Sequence, residues 1–207
     1  MVEKPSPKLK NLPLLPLDHP TSKYIDKLGH KLEETPGYKF PYTFRVVKQK
    51  EINAFALPGG PIYVNIGTIQ AGSQAELAGV MGHEIVHVVM RHSTRQAKAS
   101  VPLAILSGVL GASVGGWIGS LAQMGISIGA GGVFTKYSRA AETEADMVGA
   151  QIIYDAGYNP NTMVTFFRKL NEQQGKGSGP SFLASHPDPG NRTKNVASIL
   201  SRFPAKQ

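Results

Sequence analysis

The segment 83–87, which reads His-Glu-Ile-Val-His, constrains the fold and the chemistry of this chain more than any other part of the sequence. On an α-helix, His83 and His87 lie about 40° apart and one turn along, so both imidazoles can bind one metal ion. Two histidines and a glutamate in a buried helix cost free energy unless a partner such as a metal ion satisfies them. Burial is indicated by the apolar residues around the motif: Leu77, Val80, Met81, Ile85, Val88 and Val89. The pattern therefore predicts a metal site inside the protein.

Glu84 follows the first histidine on the same helix, where its carboxylate can take a proton from a metal-bound water. The helix is predicted to begin after Ser73, because Ser73 and Glu76 form a capping box in which each side chain satisfies the other residue's free backbone amide. It is predicted to run to about His92. A catalytic zinc ion held here needs a third protein ligand and an open fourth position for water.

The residues just after the motif do not supply that third ligand. The metzincin arrangement would place Gly at position 90 and His at position 93, but this chain has Met90 and Ser93. His92 lies about 180° around the helix from His83, so it cannot reach the same ion unless the helix breaks. We therefore expect His92 to be a surface or capping histidine near the helix C-terminus.

A better candidate for the third ligand lies in the acidic segment 142–146. Helical spacing places Glu142 and Asp146 on one face, whereas Glu144 lies about 200° from Glu142. This spacing predicts Glu142 as the ligand and Asp146 as the carboxylate that holds the other ring N–H of a histidine. The alternative is an exposed acidic helix face, but the upstream motif favours the ligand role. One Zn²⁺ per chain is the expected cofactor, since histidine and carboxylate are common zinc ligands.

The charge and composition of the chain exclude several other classes of function. The net charge is +8, from 22 Lys+Arg and 14 Asp+Glu, but the basic residues are scattered singly along the chain. We therefore expect no nucleic-acid partner. The chain has no Cys, which excludes a disulfide framework and a thiolate zinc site. Residues 1–20 are rich in Pro and Lys and lack the apolar core of a signal peptide, which predicts an extended segment.

The spacing of apolar residues predicts an α+β fold, mostly helical, with one domain over residues 21–207. In addition to the metal-site helix, helices are predicted over 21–34, 138–156, 161–174 and 191–202. Short apolar and β-branched runs predict a small sheet beside that helix, with strands at 42–47, 54–57 and 62–64 and a hairpin turn at Gly59-Gly60. Residues 175–180 are predicted to form a loop.

A Gly-rich insert at 99–135 contains no charged residue. It is long enough to span a bilayer, and its small-x-x-x-small spacings suit helix pairs in a membrane. Most of its residues are Gly, Ala and Ser, however, and Pro102 and Gln123 interrupt it. We therefore expect two tightly packed helices beside the active site, which could form a lid over the cleft, rather than a membrane span.

Taken together, these motifs resemble those of the HtpX/BepA-type zinc peptidases. This gluzincin family also contains the prenyl-protein (CAAX) endoprotease and the Oma-type mitochondrial proteases. The resemblance extends from Ile52 to about Ala197 and is strongest to soluble, BepA-like members. Besides the metal-site helix, the matching segments are Asn53–Gly60, Ser138–Gly149, Gly157–Pro160 and His186–Arg192.

The resemblance implies zinc ligation by His83, His87 and Glu142, general-base catalysis by Glu84, and support of the ligands by Asp146. It also implies a gluzincin-like domain in which the small sheet lies beside the metal-site helix.

The resemblance gives roles to residues whose spacing alone says little. The strand Asn53-Ala54-Phe55-Ala56 would be the edge strand that binds the backbone of a substrate by strand addition. His186 would either donate to the tetrahedral oxyanion or bind the zinc ion as a fourth ligand. Arg192 would support the catalytic site.

The sequence therefore predicts a zinc-dependent endopeptidase in which Glu84 activates the zinc-bound water. The resemblance implies a periplasmic enzyme of envelope protein quality control whose partners are unfolded or misassembled proteins, with peripheral or lipid-anchored membrane association as one option. Two alternatives stay open. The chain could be a holdase that keeps its zinc site closed and binds unfolded chains, or it could be an integral-membrane protease.

Overall fold

The chain is described by a computed structural model that covers residues 12–96, 126–129, 132–135, 137–173, 182–186, 192–201 and 203–204. The helices within these residues are α1 (Pro20–Glu33), α2 (Ile66–Ala71), α3 (Gln74–Val89), α4 (Arg139–Asp155), α5 (Asn161–Gln173), α6 (Phe182–Ser185) and α7 (Arg192–Leu200). The strands are β1 (Thr43–Val47), β2 (Ala54–Ala56), β3 (Pro61–Asn65), β4 (Ile126–Gly129) and β5 (Gly132–Thr135). The predicted α+β class, mostly helical with a small sheet, is confirmed.

Strands β1, β3 and β2 form, in that order, a three-stranded mixed sheet. Strand β1 is parallel to β3, and β2 is antiparallel to β3, so β2 is an edge strand. The predicted hairpin turn joins β2 to β3, where Gly59 and Gly60 have positive φ angles of 95° and 110°. A Cβ on Gly60 would lie 2.4 Å from the carbonyl oxygen of Pro41. Both the backbone angle and the lack of space therefore require glycine at this turn.

Helix α3 crosses the core and carries the predicted metal-site residues. It begins at the predicted capping box, in which the N–H of Ser73 donates to Glu76 Oε2 (2.8 Å) and the N–H of Glu76 donates to Ser73 Oγ (3.3 Å). Every residue from Glu76 to Val88 is buried, which confirms the predicted buried helix. The helix ends at Val89 rather than at His92, and residues 92–96 begin a new helical segment.

Helices α3 and α4 pack closely because glycines face each other where they cross. A Cβ on Gly149 would lie 3.1 Å from the backbone nitrogen of His83, and a Cβ on Gly82 would lie 3.3 Å from the carbonyl oxygen of Gly149. Any side chain at these positions would push the two backbones apart. This close approach places the acidic face of α4 directly against the histidines of α3.

Several predicted elements are confirmed and others are not. The helices predicted over 21–34, 138–156, 161–174 and 191–202 appear as α1, α4, α5 and α7 with ends within about two residues. Helix α2 was not predicted. The two packed helices expected in the insert 99–135 are wrong for its last part, because β4 and β5 form an antiparallel hairpin there.

Other sequence expectations lie partly or wholly outside the described residues. These are the rest of the insert, the loop at 175–180 and residues 1–11 of the extended N-terminal segment. Of the remainder of that segment, the N–H of Leu15 donates to the carbonyl of Val46 (2.9 Å), which joins it to β1. Among the helices of the described part, none combines the length and apolar character that a bilayer crossing requires.

Glu76 generates a prediction about stability. Besides the capping box, its carboxylate accepts hydrogen bonds from Thr165 Oγ1 (2.9 Å) and Lys169 Nζ (2.8 Å), which fasten the start of α3 to α5. Replacing Glu76 with Ala removes these bonds and leaves the N–H of Ser73 without its partner. We expect Glu76→Ala to lower the free energy of unfolding by about 1–3 kcal/mol, measured by urea denaturation at pH 7.

The control is Glu172→Ala, which removes an exposed carboxylate from α5, the helix to which Glu76 is bonded. Burial opposes charge on Glu76, but the hydrogen bonds from Lys169, Ser73 and Thr165 outweigh burial and lower its pKa. Its contribution should therefore be complete above about pH 5 and fade as the pH falls through the folded-state pKa. Equal unfolding free energies for Glu76→Ala and Glu172→Ala at pH 7 would contradict this account.

Candidate metal centre

Four buried side chains bring one ligand atom each within 4.8 Å of one another: His83, His87, Glu142 and His186. The Nε2 atoms of His83 and His87 lie 2.9 Å apart. Nδ1 of His186 lies 3.3 Å from His83 Nε2 and 3.2 Å from Glu142 Oε1. The ligand atoms of a tetrahedral zinc ion are about 3.3 Å apart, since each is about 2.0–2.1 Å from the metal. The observed separations therefore fit a single small ion.

The other ring nitrogens of the two helix histidines are already hydrogen-bonded. Nδ1 of His83 lies 2.9 Å from Asp146 Oδ1, and Nδ1 of His87 lies 2.8 Å from Nδ1 of His92. Each histidine therefore presents Nε2 to the centre. Glu142 Oε2 is buried and makes no hydrogen bond within the described part of the chain. This oxygen does lie within ion-pair distance of Arg192 Nη2 (3.3 Å) and His83 Nε2 (3.4 Å). Two imidazole nitrogens and a buried carboxylate form a donor set that suits Zn²⁺.

The acidic residues come from α4, which begins at Ser138, whose hydroxyl accepts from the N–H of Ala141 (3.2 Å). Glu142 and Asp146 lie one turn apart and are both 0% exposed. Glu144 points elsewhere, with its carboxylate 3.0 Å from Nε2 of His92. The predicted division of the three acids between two faces is confirmed, and the alternative of an exposed acidic face is wrong for Glu142 and Asp146.

Arg192, the first residue of α7, fixes the position of Asp146. Its Nε and Nη2 donate to the two carboxylate oxygens of Asp146 at 2.8 and 2.6 Å, and its Nη1 donates to the carbonyl of His186 (3.3 Å). The guanidinium also lies over the ring of Phe167, 4.2 Å from its centroid. Nη2 also lies 3.3 Å from Glu142 Oε2 and 3.2 Å from His83 Nδ1. These contacts fit the supporting role that the resemblance implies, and a catalytic role for Arg192 stays a prediction.

Neighbouring charges and burial shift the pKa values of the ligand side chains. Burial opposes charge on His83, but hydrogen bonds to Asp146 and Glu142 outweigh it and raise the pKa of this imidazole to about 9. Burial and the adjacent His83 hold the pKa of His87 well below its ordinary value. Burial also opposes charge on Glu142, but His186 and His83 outweigh it and keep its pKa low. A metal ion binding here therefore competes with a proton mainly at His83.

Glu84 is fully buried beside the ligand atoms. Neither of its carboxylate oxygens makes a hydrogen bond within the described residues, although Oε1 lies 3.2 Å from Nε2 of His186. Burial raises the pKa of this carboxyl group. A buried carboxylate with a raised pKa is a better proton acceptor than an exposed one, which suits the predicted role of general base.

His186 lies inside the ligand cluster and not at its rim. Its ring stacks on the ring of Phe182 with 4.2 Å between centroids. The backbone N–H of His186 donates to the backbone carbonyl of Phe182 (2.8 Å). Nε2 faces Glu84 Oε1 and the carbonyl oxygen of Ala54, which is 3.4 Å away. Both predicted roles require that His186 lie close to the cluster, and it does. The 3.3 Å distance from Nδ1 to His83 Nε2 favours the ligand role, which stays a prediction.

The backbone groups of the predicted substrate-binding strand alternate between the side that pairs with β3 and the opposite side. The N–H of Asn65 donates to the carbonyl of Asn53, and the N–H of Leu57 donates to the carbonyl of Pro61. Because hydrogen-bonding direction alternates along a strand, Asn53, Phe55 and Leu57 face β3. Ala54 and Ala56 therefore direct their backbone groups to the side of β2 away from β3, where both residues are buried and β5 lies nearby. The role of Asn53–Ala56 as a substrate-binding edge strand stays a prediction.

Two neighbours of the centre, His92 and Tyr137, were not predicted from the sequence. His92 is 2% exposed and contacts His87, so its prediction as a surface or capping histidine is wrong. The reason is that α3 ends early and Arg91 adopts a positive φ of 53°, which turns the chain back toward the cluster. Tyr137 stacks on the ring of His87 with 3.7 Å between centroids. No sequence signal marks Tyr137 except its place immediately before the N-cap of α4.

Comparison with known proteins gives matches along most of the chain. A sequence model for Peptidase family M48 matches residues 20–200. The chain is 34% identical over 193 residues to the putative beta-barrel assembly-enhancing protease of Vibrio cholerae, which covers 88% of this chain and 40% of that protein. It is 26% identical over 197 residues to the mitochondrial metalloendopeptidase OMA1 of Schizosaccharomyces pombe, covering 94% of this chain and 57% of that protein.

A third relative is the metalloprotease LoiP of Escherichia coli, 29% identical over 162 residues, with 78% of this chain and 64% of that protein covered. The chain thus spans only about two fifths of the length of the beta-barrel assembly-enhancing proteases that it matches.

The two glutamates of α4 provide a direct test of the ligand assignment. We expect the purified chain to hold one metal ion, Glu142→Ala to lose it, and Glu144→Ala to keep it after dialysis. Only Glu142 lies in the cluster with His83 and His87, whereas Glu144 contacts His92, so loss of Glu144 can weaken binding but removes no ligand. Metal content per chain, measured by plasma mass spectrometry, checks this. Loss of the ion from Glu144→Ala with retention in Glu142→Ala would show that the wrong glutamate is assigned.

Proposed function

Because the chain belongs to peptidase family M48, we propose that it is a zinc-dependent endopeptidase that hydrolyses peptide bonds of proteins. This membership agrees with the resemblance seen in the sequence. The observation that carries the proposal is the buried convergence of His83, His87 and Glu142 with the carboxylate of Glu84 beside them. This arrangement combines metal ligands with a proton acceptor that makes no hydrogen bond within the described residues.

In this proposal Nε2 of His83, Nε2 of His87 and a carboxylate oxygen of Glu142 hold the ion. Zinc bound there supplies Lewis acidity toward water and the substrate carbonyl. Asp146 holds His83 through Nδ1, and Arg192 holds Asp146 in turn. Such partners fix the ring orientation and tautomer of a ligand histidine.

Glu84 acts as the general base. Its buried carboxylate takes a proton from the attacking water and then delivers that proton to the nitrogen of the leaving amine. Burial raises its pKa, which increases its affinity for the proton in the first step. Peptide hydrolysis needs both transfers, and one carboxylate next to the reacting carbonyl can perform them in sequence.

The substrate pairs with the side of β2 away from β3, to which Ala54 and Ala56, both buried in this structure, direct their backbone groups. Strand addition at this edge binds the main chain of an extended segment and leaves sequence preference to side-chain pockets. A cavity of about 260 Å³ adjoins the end of β2 and His87, lined in part by Phe40, Leu57 and Tyr137. The proposed substrates are therefore extended segments of unfolded or misassembled proteins.

His186 is proposed as a fourth ligand that closes the site in the resting protein. A closed tetrahedral site is typical of structural zinc, whereas catalysis needs an open position. Activity then requires that His186 leave the cluster.

The names of the relatives suggest a physiological setting. At least five relatives are named beta-barrel assembly-enhancing protease, one of them as putative, and β-barrel proteins of this kind belong to the bacterial outer membrane. We propose that this chain takes part in protein quality control in the cell envelope, in the periplasm. Fractionation of cells that express the protein, with a periplasmic and a cytoplasmic marker protein, tests this location.

The role of Glu84 predicts the behaviour of a conservative variant. Glu84→Gln keeps the shape and all metal ligands but cannot take a proton, so we expect unchanged zinc content and a loss of casein cleavage of several orders of magnitude. The measurement is made in the wild-type and in the His186→Ala background, so that a closed site does not hide the effect. Glu172→Gln, an exposed carboxylate, is the matched control.

Substantial turnover by zinc-loaded Glu84→Gln would contradict the mechanism. The wild-type chain and His186→Ala, both with Glu84 intact, give a further outcome. If neither of these two proteins cleaves casein, and both still suppress aggregation of an unfolded protein, the chain is a holdase instead.

The position of His186 leads to a separate prediction. If His186 is a fourth ligand, His186→Ala opens a coordination position, so we expect cleavage of casein to rise while one zinc ion stays bound. If His186 instead donates to the oxyanion, activity should fall by about 10²–10³. Comparison of initial rates for wild type, His186→Ala and the exposed-site control His19→Ala distinguishes the two roles. A fall in rate would overturn the fourth-ligand assignment.

A further inference from the structure

We propose that His92 and Glu144 are positioning residues of the metal centre, in which Glu144 orients His92 and His92 fixes the tautomer and ring orientation of His87. This inference rests on the proposed function, because it takes His87 to be a metal ligand. Neither residue touches the centre, so both act only through His87.

The three side chains form one continuous series of hydrogen bonds. Nδ1 of His87 lies 2.8 Å from Nδ1 of His92, and Nε2 of His92 lies 3.0 Å from Glu144 Oε2. The same oxygen of Glu144 accepts from Nη1 of Arg95 (3.0 Å). His92 is 2% exposed, whereas the side chains of Glu144 and Arg95 are 36% and 62% exposed. The series therefore runs from the buried ligand to the surface.

The protons in this series can be placed in one consistent way. If Nε2 of His87 binds the metal, the proton of this ring is on Nδ1 and is donated toward His92. Nδ1 of His92 must then be the acceptor, so its proton is on Nε2, where it is donated to the carboxylate of Glu144. The other tautomer of His92 would bring two N–H groups together at 2.8 Å and leave Glu144 Oε2 without this donor. Glu144 thus selects the tautomer of His92 that His87 needs.

A turn in the backbone at Arg91 brings His92 next to His87. Helix α3 ends at Val89, and Arg91 adopts a left-handed conformation with φ 53°, which is unfavourable for a residue with a side chain. The N–H of Arg95 then donates to the carbonyl of Arg91 (2.8 Å) as the next helical segment begins. A continuous helix would have carried His92 to the side opposite His83. The turn at Arg91 instead returns it to the ring of His87.

The two helix histidines are thus held by two different sets of partners. His83 contacts the buried carboxylate of Asp146 directly. This carboxylate also accepts a hydrogen bond from Arg192. His87 contacts an imidazole first, and the carboxylate of Glu144 comes second. Loss of such partners of a metal ligand lowers metal affinity by about 10–100-fold in other proteins.

The test measures Zn²⁺ affinity of the full chain by competition with a chromogenic chelator, together with the visible absorption of the Co²⁺-substituted protein. His92→Phe fills the space but offers no acceptor, so we expect Zn²⁺ to bind about 10–100-fold more weakly and the Co²⁺ spectrum to change. Glu144→Leu should likewise weaken Zn²⁺ binding and change the Co²⁺ spectrum. His30→Phe, at an exposed histidine, should leave both measurements at wild-type values.

Two further variants, His92→Asn and His92→Gln, test the inference even if His92→Phe does not fold. His92→Asn places an acceptor oxygen near the position of Nδ1 and can still receive the hydrogen bond of His87. His92→Gln reaches toward Glu144 but places no acceptor at the Nδ1 position. We expect His92→Asn to bind Zn²⁺ within a few-fold of wild type and His92→Gln to bind more weakly.

Equal affinity in the Asn and Gln variants, or wild-type affinity and spectrum in His92→Phe, would overturn the inference while leaving the proposed function intact. A wild-type chain that binds no Zn²⁺ would overturn both.

Discussion

The paired hydrogen bonds between Arg192 and Asp146 hold together the parts of the chain that form the candidate metal centre. Asp146 lies on α4 and Arg192 on α7, and the same carboxylate also contacts Nδ1 of His83 on α3. All three side chains are almost completely buried. Taking a carboxylate and a guanidinium out of water costs several kcal/mol each, and only close, multiple contacts offset this cost. Removing one partner would leave an unpaired charge in the core, so the three helices are fixed to one another at this point.

This arrangement explains why the centre can tolerate so many ionisable groups in a closed interior. The core around it is apolar, with Ile85, Ile152 and Phe166 among the side chains that exclude water. In such surroundings each imidazole or carboxylate needs a partner, and two sets of residues supply them. One set runs through Asp146 to Arg192, and the other through His92 to Glu144. The ligand atoms that remain are those directed at the centre.

The parts of the site that follow local rules could be predicted from the sequence. Periodicity of 3.6 residues placed His83 and His87 together and separated Glu142 from Glu144, and the capping box marked the start of α3. The end of α3 could not be predicted, because Met90 and Arg91 carry no stop signal such as Gly or Pro. The turn there brings His92 to Glu144, 52 positions away, and Ser93 to Tyr137, 44 positions away. The β4–β5 hairpin was missed for a related reason, since Gly-rich sequence suits several backbone conformations.

The position of His186 connects the metal centre to the edge strand. Its Nε2 lies 3.4 Å from the carbonyl of Ala54, a buried backbone group on the side of β2 away from β3. A substrate strand that pairs with this edge would place an N–H at the same carbonyl. In the proposed mechanism His186 therefore blocks substrate at two places: it occupies the fourth coordination position, and it contacts the backbone carbonyl of β2 that a substrate N–H would use. Both obstacles are removed by one movement, so binding of an extended chain and opening of the metal site are coupled through a single imidazole.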